Sequence, residues 1–374
     1  MRAWALAQRN YHACTTTFAA PFQPLKKETT MKLRSRCAVV TALITLSALG
    51  IALLAEGRGI PRRSPATDSQ APIRKFSFNY TVQVPPMPEA RENLHLWIPM
   101  PQSSPYQQIT GLDVTAPVKH VVRRDGIYHN EFAYFDVPAA QAQKGMVVTL
   151  RFDALRREHR VALDGAPAPS GDPLTPAEKK RYLAADRLVP LTGVIGQMSA
   201  EQTKGLNTPL EKARAIYNYV LSTMKYDKTG DGWGRGDAAW FCTAKKGNCT
   251  DFHGMFIGMA RAAGIPAKFE IGFPLPANST AGAIGGYHCW AEFYVQEYGW
   301  IPVDASEAWK HPEKRDYFFG AHDVNRVQFT TGRDLELAPK QAAEPVNYAV
   351  YPYAEMGGKI LSGIKSEFAF QDRP

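Results

Sequence analysis

GNCTDFHGMFIGMARAAGIPAKFEIGF (247–273) is the stretch from which the rest of the chain can be read. A loop at Gly247-Asn248 runs into Cys249, and Phe252, Met255, Phe256 and Met259 then recur at helical spacing. The pattern predicts a helix starting near Cys249, followed by a turn and a strand in GIPAKFEIGFPLP (264–276). A thiol on the first turn of a helix faces unpaired backbone N–H groups and the positive end of the helix dipole, and both favour thiolate over thiol. Cys249 is therefore a candidate nucleophile.

Such a nucleophile needs an imidazole to hold the ion pair and protonate the leaving group, and a third group to fix the imidazole's tautomer. Downstream, YHCWAEFYVQ (287–296) reads as a strand and EYGWIPVDAS (297–306) as a turn and a second strand. Paired as a hairpin, they bring His288 and Asp304 to one end. Upstream, Thr208-Pro209-Leu210-Glu211 supplies an N-cap, a proline in the first turn and a glutamate three residues after the cap. The helix it opens, about 209–225, places Ala213, Ile216, Tyr217, Val220, Leu221 and Met224 on one face. An earlier helix is expected around 176–189, and a glycine-rich loop, KTGDGWGRGD (228–237), separates the helices from the Cys249 segment. Helices first and antiparallel hairpins after give an α+β fold.

The N-terminal half differs. Alternating or β-branched runs at 75–84, 92–100, 111–124, 128–137 and 145–157 are separated by Pro, Gly and Asp turns. In the first run Phe76, Phe78, Tyr80, Val82 and Val84 share a face. Strands at this spacing predict an antiparallel β-sandwich over 72–165. A Pro/Gly/Ser linker, APAPSGDP (166–173), precedes a second domain over 170–340, and 341–374 reads as a C-terminal extension. With 45% hydrophobic residues in 374, and Gly and Pro together about 15%, the chain has material for these cores and is not disordered.

The net charge of +9 is concentrated at one end. Residues 1–63 carry ten Lys/Arg against Glu28 and Glu56, which accounts for eight of the nine charges. The remainder is nearly neutral and lacks a basic stripe, which excludes a nucleic-acid partner. From Met31, MKLRSRC precedes an uncharged run of 18 residues (38–55), a basic n-region and an apolar h-region. Residues 1–30 are read as an over-extension ahead of Met31, 31–56 as a signal peptide or inner-membrane anchor, and 57–71 as a linker. The body is expected to be exported, periplasmic or extracellular, with possible attachment to the inner membrane through 38–55.

The segments 247–273, GYHCWAEFY (286–294) and GWIPVDAS (299–306) resemble the transglutaminase-like superfamily, a branch of the papain-type cysteine enzymes. The resemblance covers roughly 205–310, with spacings of 39 and 16 residues like those of compact bacterial members. It implies a catalytic Cys249, His288 and Asp304, and an oxyanion hole made by the Cys249 backbone N–H and an upstream side chain. Trp240, Trp233 and Tyr226 are the candidates for that side chain, with packing of Trp240 beside Phe241 as its competing role. The bland alternatives for the triad are a buried structural thiol, a strand histidine and a turn aspartate. His253 is read as packed or capping, and Asp251 as a complement to the helix dipole. Asp227, Asp231 and Asp237 lack the Glu spacing of a calcium loop, so no metal and no cofactor is expected. Cys289, on the strand face opposite His288, is a candidate for a disulfide with Cys242.

The function read from the sequence is that of an exported thiol acyl-transfer enzyme acting on amide bonds of a protein or peptide substrate. Hydrolysis is placed ahead of transglutaminase-type crosslinking. The alternative of another class is a noncatalytic binding or assembly module that retains the fold.

Overall fold

In the computed structural model, residues 71–164 and 173–374 are described. The readings of 1–30 as an over-extension, of 31–56 as a signal or anchor, and of most of the linkers 57–71 and 166–173 lie outside these residues. Among the described residues no helix is long and apolar enough to cross a membrane.

The sandwich sheets follow from strict alternation. In the strand Ile73–Val84, Phe76, Phe78, Tyr80, Val82 and Val84 are all buried and the residues between them are not. Its neighbour Met146–Arg157 buries Met146, Val148, Leu150, Phe152 and Ala154 in the same rhythm. The first sheet is antiparallel throughout, in the order Ala281–Ala283, Lys365–Asp372, Ile73–Val84, Met146–Arg157, Gln107–Thr115. The second runs Lys359–Ile360, Tyr353–Met356, Leu94–Pro99, Glu131–Val137, Val121–Arg124. The segment 341–374 thus supplies strands to both sheets. The Lys365–Asp372 strand pairs with Ile73–Val84 over its whole length, from Phe76 opposite Asp372 to Gln83 opposite Lys365.

The second layer system holds the helices. Thr208 caps the helix Pro209–Thr223 through a reciprocal bond with Glu211, and Ala213, Ile216, Tyr217 and Val220 are buried as the periodicity requires. The earlier helix is shorter than its sequence pattern: it spans Pro176–Leu183 and gives way to a bridge between Asp186 and Val189. The central helix, Cys249–Ala262, buries nearly every residue because it is covered on several sides. Helices Val194–Gln202, Pro209–Thr223 and Ala238–Ala244 contact it, and so does the strand His288–Val295. That strand belongs to a four-stranded sheet in the order Gly299–Val303, His288–Val295, Ala267–Pro274, Arg326–Thr331.

The sandwich and this helix-backed sheet share one core. Phe78 packs on Phe152 of its own sheet at 5.2 Å between ring centroids, and on Phe273 and Phe329 of the four-stranded sheet at 5.7 and 5.8 Å. Tyr80 and Phe273 both meet Phe368 of the C-terminal strand, at 4.5 and 4.0 Å. A short ladder, His159–Arg160 with Ala321–His322, adds a second link.

Truncating one of the shared rings should therefore destabilise both halves together. Phe78→Ala is expected to cost about 3–5 kcal/mol and to leave a single unfolding transition in urea, followed by far-ultraviolet circular dichroism and tryptophan fluorescence. Separate transitions for the two probes in the unmutated protein would show that the shared aromatic core does not couple the halves.

Candidate active site

Asn248 is the N-cap of the central helix. Its side chain accepts the Thr250 N–H at 2.8 Å, and Asp251 reaches back to the Asn248 N–H at 2.9 Å. Asp251 does more than complement the dipole. Its carboxylate also accepts the backbone N–H groups of Gly234 at 2.7 Å and Gly236 at 3.0 Å, which pins the glycine-rich loop to the turn bearing Cys249. Gly247, with φ of 151°, has to be glycine because a Cβ there would collide with the Asp251 carboxylate.

Cys249 is the first helical residue and only 2% exposed. His288 begins its strand, opposite Gly272, and its Nε2 donates to Asp304 Oδ2 at 2.7 Å. That bond leaves Nδ1 unused by Asp304, and the His288 ring is near enough to the Cys249 thiol for its charge to act there. Asp304 is fully buried at the end of the adjacent strand and caps the helix Ala305–Lys310. Its Oδ2 also accepts from Arg326 Nη1 at 3.1 Å, and its Oδ1 accepts the Glu307 N–H at 3.0 Å and the Ser306 hydroxyl at 3.2 Å. The structure thus brings His288 and Asp304 into direct contact and sets Cys249 at the start of the central helix.

The electrostatics follow from burial and pairing. Burial by itself would raise the Cys249 thiol, but hydrogen bonds from Cys289 and His288, and the His288 charge, hold it well below the usual thiol range. Burial would lower His288, but Asp304, through its charge and hydrogen bond, and the neighbouring thiolate push it up to about 10. Asp304 stays far below the usual carboxylate range: His288 and Arg326 outweigh the cost of its burial. Both shifts run toward the charged forms of the thiol and the imidazole.

His253, one turn along the helix, is packed as expected and also ties the site together. Its Nε2 accepts the Ala305 N–H at 3.1 Å, so the imidazole is neutral with its proton on Nδ1, which donates to the Cys249 carbonyl at 2.8 Å. Burial lowers its pKa accordingly.

The candidate Cys242–Cys289 disulfide is not formed: Cys242, Cys249 and Cys289 are all free. Alternation does turn Cys289 away from Trp290 and Glu292, but that face carries the central helix. Cys289 Sγ therefore lies 3.7 Å from Thr250 Oγ1, 3.8 Å from His253 Nδ1, and within hydrogen-bonding reach of Cys249. Cys242, on the helix Ala238–Ala244, is only partly buried. The same alternation identifies a residue that the motif reading missed. Tyr287 leans toward the helix, and its hydroxyl meets Asn248 Nδ2 at 2.8 Å and Thr250 Oγ1 at 2.9 Å. Arg326 was also missed, because 22 residues separate it from Asp304 and only the sheet order brings them together.

Of the oxyanion candidates, Tyr226 lies near enough to Cys249 that burial and the thiolate charge both raise its hydroxyl pKa. Trp240 packs against Gly232 of the loop, and Trp233 lies beside Lys228, 5.9 Å from its ammonium. Asp227, Asp231 and Asp237 do not converge: Asp227 pairs with Lys246 at 3.3 Å, Asp231 is exposed, and Asp237 caps its helix.

Residues 196–305 match the family described as the transglutaminase-like superfamily. An uncharacterized protein of Haemophilus influenzae is 29% identical over 344 residues, covering 80% of this chain and 89% of its own length. A solved structure from Cytophaga hutchinsonii, assigned as a cysteine protease, superposes with a TM-score of 0.53 at 14% identity. It covers 81% of this chain and 99% of that one, a likeness of fold alone. The periplasmic domain of TgpA from Pseudomonas aeruginosa gives a TM-score of 0.32 at 17% identity, over 63% of this chain and 89% of that one, and adds nothing to the fold assignment.

Two outcomes test this geometry. The ion pair is lost as pH falls through the lowered thiol value or rises through the His288 value of about 10. Alkylation of Cys249 by iodoacetamide should therefore stay fast well below pH 8.5, where an ordinary thiol slows. His288→Ala should return the profile toward that of a free thiol, and Asp304→Asn should slow alkylation only in part. Asp251→Ala strands three N–H groups, at Gly234, Gly236 and Asn248. It should cost about 3–5 kcal/mol in urea unfolding, since each buried orphan donor costs about 1–3 kcal/mol.

Proposed function

We propose that this chain, which carries a transglutaminase-like superfamily domain over residues 196–305, is an exported thiol enzyme that cleaves amide bonds in proteins or peptides. The superfamily is one of hydrolytic and acyl-transfer enzymes, and the single observation that carries the reading is the buried His288–Asp304 hydrogen bond in a fold that starts its central helix with the thiol of Cys249. Export rests on the basic and apolar segment 31–56.

In this reading the Cys249 thiolate attacks the amide carbonyl carbon and the C=O electron pair moves onto oxygen. The Cys249 backbone N–H, unused at the helix start, and the Tyr226 hydroxyl receive that oxyanion. Collapse breaks the C–N bond, and the amine leaves with the proton of His288 Nδ1. The neutral imidazole then takes a proton from water, whose oxygen attacks the thioester, and the acid departs as Cys249 is restored. Asp304 holds the Nε2 proton throughout, and Arg326 and the Ala305–Lys310 helix keep Asp304 ionised. Hydrolysis is favoured over transamidation because Cys249 is 2% exposed and hemmed by Cys289 and Tyr226, a setting that admits water more readily than a second amine side chain.

Cys249→Ala should abolish turnover of a peptide library while shifting the thermal midpoint little. Tyr226→Phe should lower kcat by about 10- to 1000-fold, the range for losing one oxyanion donor, and leave the alkylation profile of Cys249 unchanged. In H2(18)O with added primary amine, the heavy oxygen should enter the new carboxylate. Amine incorporation without the label would make the enzyme a transamidase, and full activity of Cys249→Ala would remove the thiol mechanism.

A further inference from the structure

Two pleats along the strand from His288, on the same face, stands Glu292. Its Oε1 lies 3.1 Å from His159 Nδ1, and its Oε2 lies 2.8 Å from Lys268 Nζ. His159 sits directly opposite His322 in the two-residue ladder that ties the sandwich to the catalytic half. All three side chains are buried, at 2%, 5% and 0% exposure for His159, Glu292 and His322, and each offers a ligand atom within 4.8 Å of the others.

His322 is the unusual member. It is fully buried, and neither Nδ1 nor Nε2 has a hydrogen-bond partner. Leaving a buried polar group unpaired is costly, and a histidine with two orphan nitrogens is harder to explain as packing than a phenylalanine would be. A ligand for one nitrogen resolves this. We propose that His159, Glu292 and His322 form a binding site for one divalent ion of the zinc class.

The donor set suits that chemistry: two imidazoles and a carboxylate form a known protein set for zinc. Tetrahedral coordination at about 2.0–2.1 Å puts ligand atoms about 3.3 Å apart, so the 3.1 Å His159–Glu292 pair already has that spacing and His322 has only to close in. The ion would take the place of the His159–Glu292 hydrogen bond. Lys268 on the second carboxylate oxygen would orient Glu292 from outside the ligand set. Tyr106 stacks on His159 at 3.6 Å between ring centroids, and Trp290 meets His322 edge-on at 5.9 Å, which would shield the ion from bulk solvent and leave its fourth position to a single bound water. Lys268 and Arg326 flank the site, and the carboxylates of Glu270 and Asp304 offset them.

The ion would be structural. Trp290 separates Glu292 from His288 on the strand, and the Arg326 guanidinium that holds Asp304 lies 4.8 Å over the Trp290 ring. A metal here would clamp the ladder to the strand behind the triad and would not touch substrate.

The test must remove the thiols, which also bind zinc. A protein in which all five cysteines, Cys14, Cys37, Cys242, Cys249 and Cys289, are replaced by serine, stripped with a chelator and dialysed, is repleted with Zn2+ or Co2+ and its metal content measured by mass spectrometry. About one equivalent should be retained, the Co2+ form should show a spectrum of nitrogen and oxygen ligands, and the thermal midpoint should rise with metal. His322→Phe in that background should lose the equivalent and the metal response, while its metal-free form is at least as stable because the orphan nitrogens are gone. His159→Gln provides the same metal readout if the phenylalanine does not fold. Failure of the parent protein to retain metal, or equal retention by these variants, would overturn the site.

Discussion

The site rests on a fully buried carboxylate. Asp304 is shut away from bulk solvent, and its charge is held by His288, Arg326, the Glu307 N–H and Ser306, which surround both oxygens. An uncompensated charge at that depth would cost several kcal/mol. These partners come from three places: the start of the His288 strand, the edge strand that carries Arg326, and the first turn of the helix Ala305–Lys310. Sheet order and helix start are therefore constrained by one carboxylate.

Asp251 repeats the logic on the nucleophile's side. Its three backbone donors come from the loop and the helix cap, so the Cys249 turn and the glycine-rich segment are placed as one piece. His253 then joins the two sides, since it bonds both the Cys249 carbonyl and the Ala305 N–H. Cys249 and His288 are thus carried by elements whose backbone groups are already paired, which holds both side chains in place.

The half that carries Cys249, His288 and Asp304 packs on the sandwich. Phe273 on the strand beside the His288 strand, and Phe329 on the next one out, pack against Phe78 of the sandwich, and Phe273 also against Phe368. The last residues of the chain complete the sheet that supports the site. The N-terminal strands are therefore part of the support of the triad.

Local chemistry made much of this readable from residues alone. The capped helix at Thr208, the thiol at a helix start after Gly247-Asn248, the alternation in 75–84 and the hairpin carrying His288 and Asp304 depend on neighbours a few residues apart, where periodicity and capping act. The tertiary structure decided what depends on the space between elements. Arg326 reaches Asp304 only through strand order, and Cys289 meets Cys249 because the helix covers that face of the strand. The C-terminal strand enters the first sheet through backbone pairing that no side-chain pattern announces. His159, Glu292 and His322 come from three elements far apart in sequence, so their spacing carries no ligand signal. Alternation and capping are short-range forces and leave a mark in the sequence, whereas buried charges and orphan nitrogens find their partners only once the chain has closed around them.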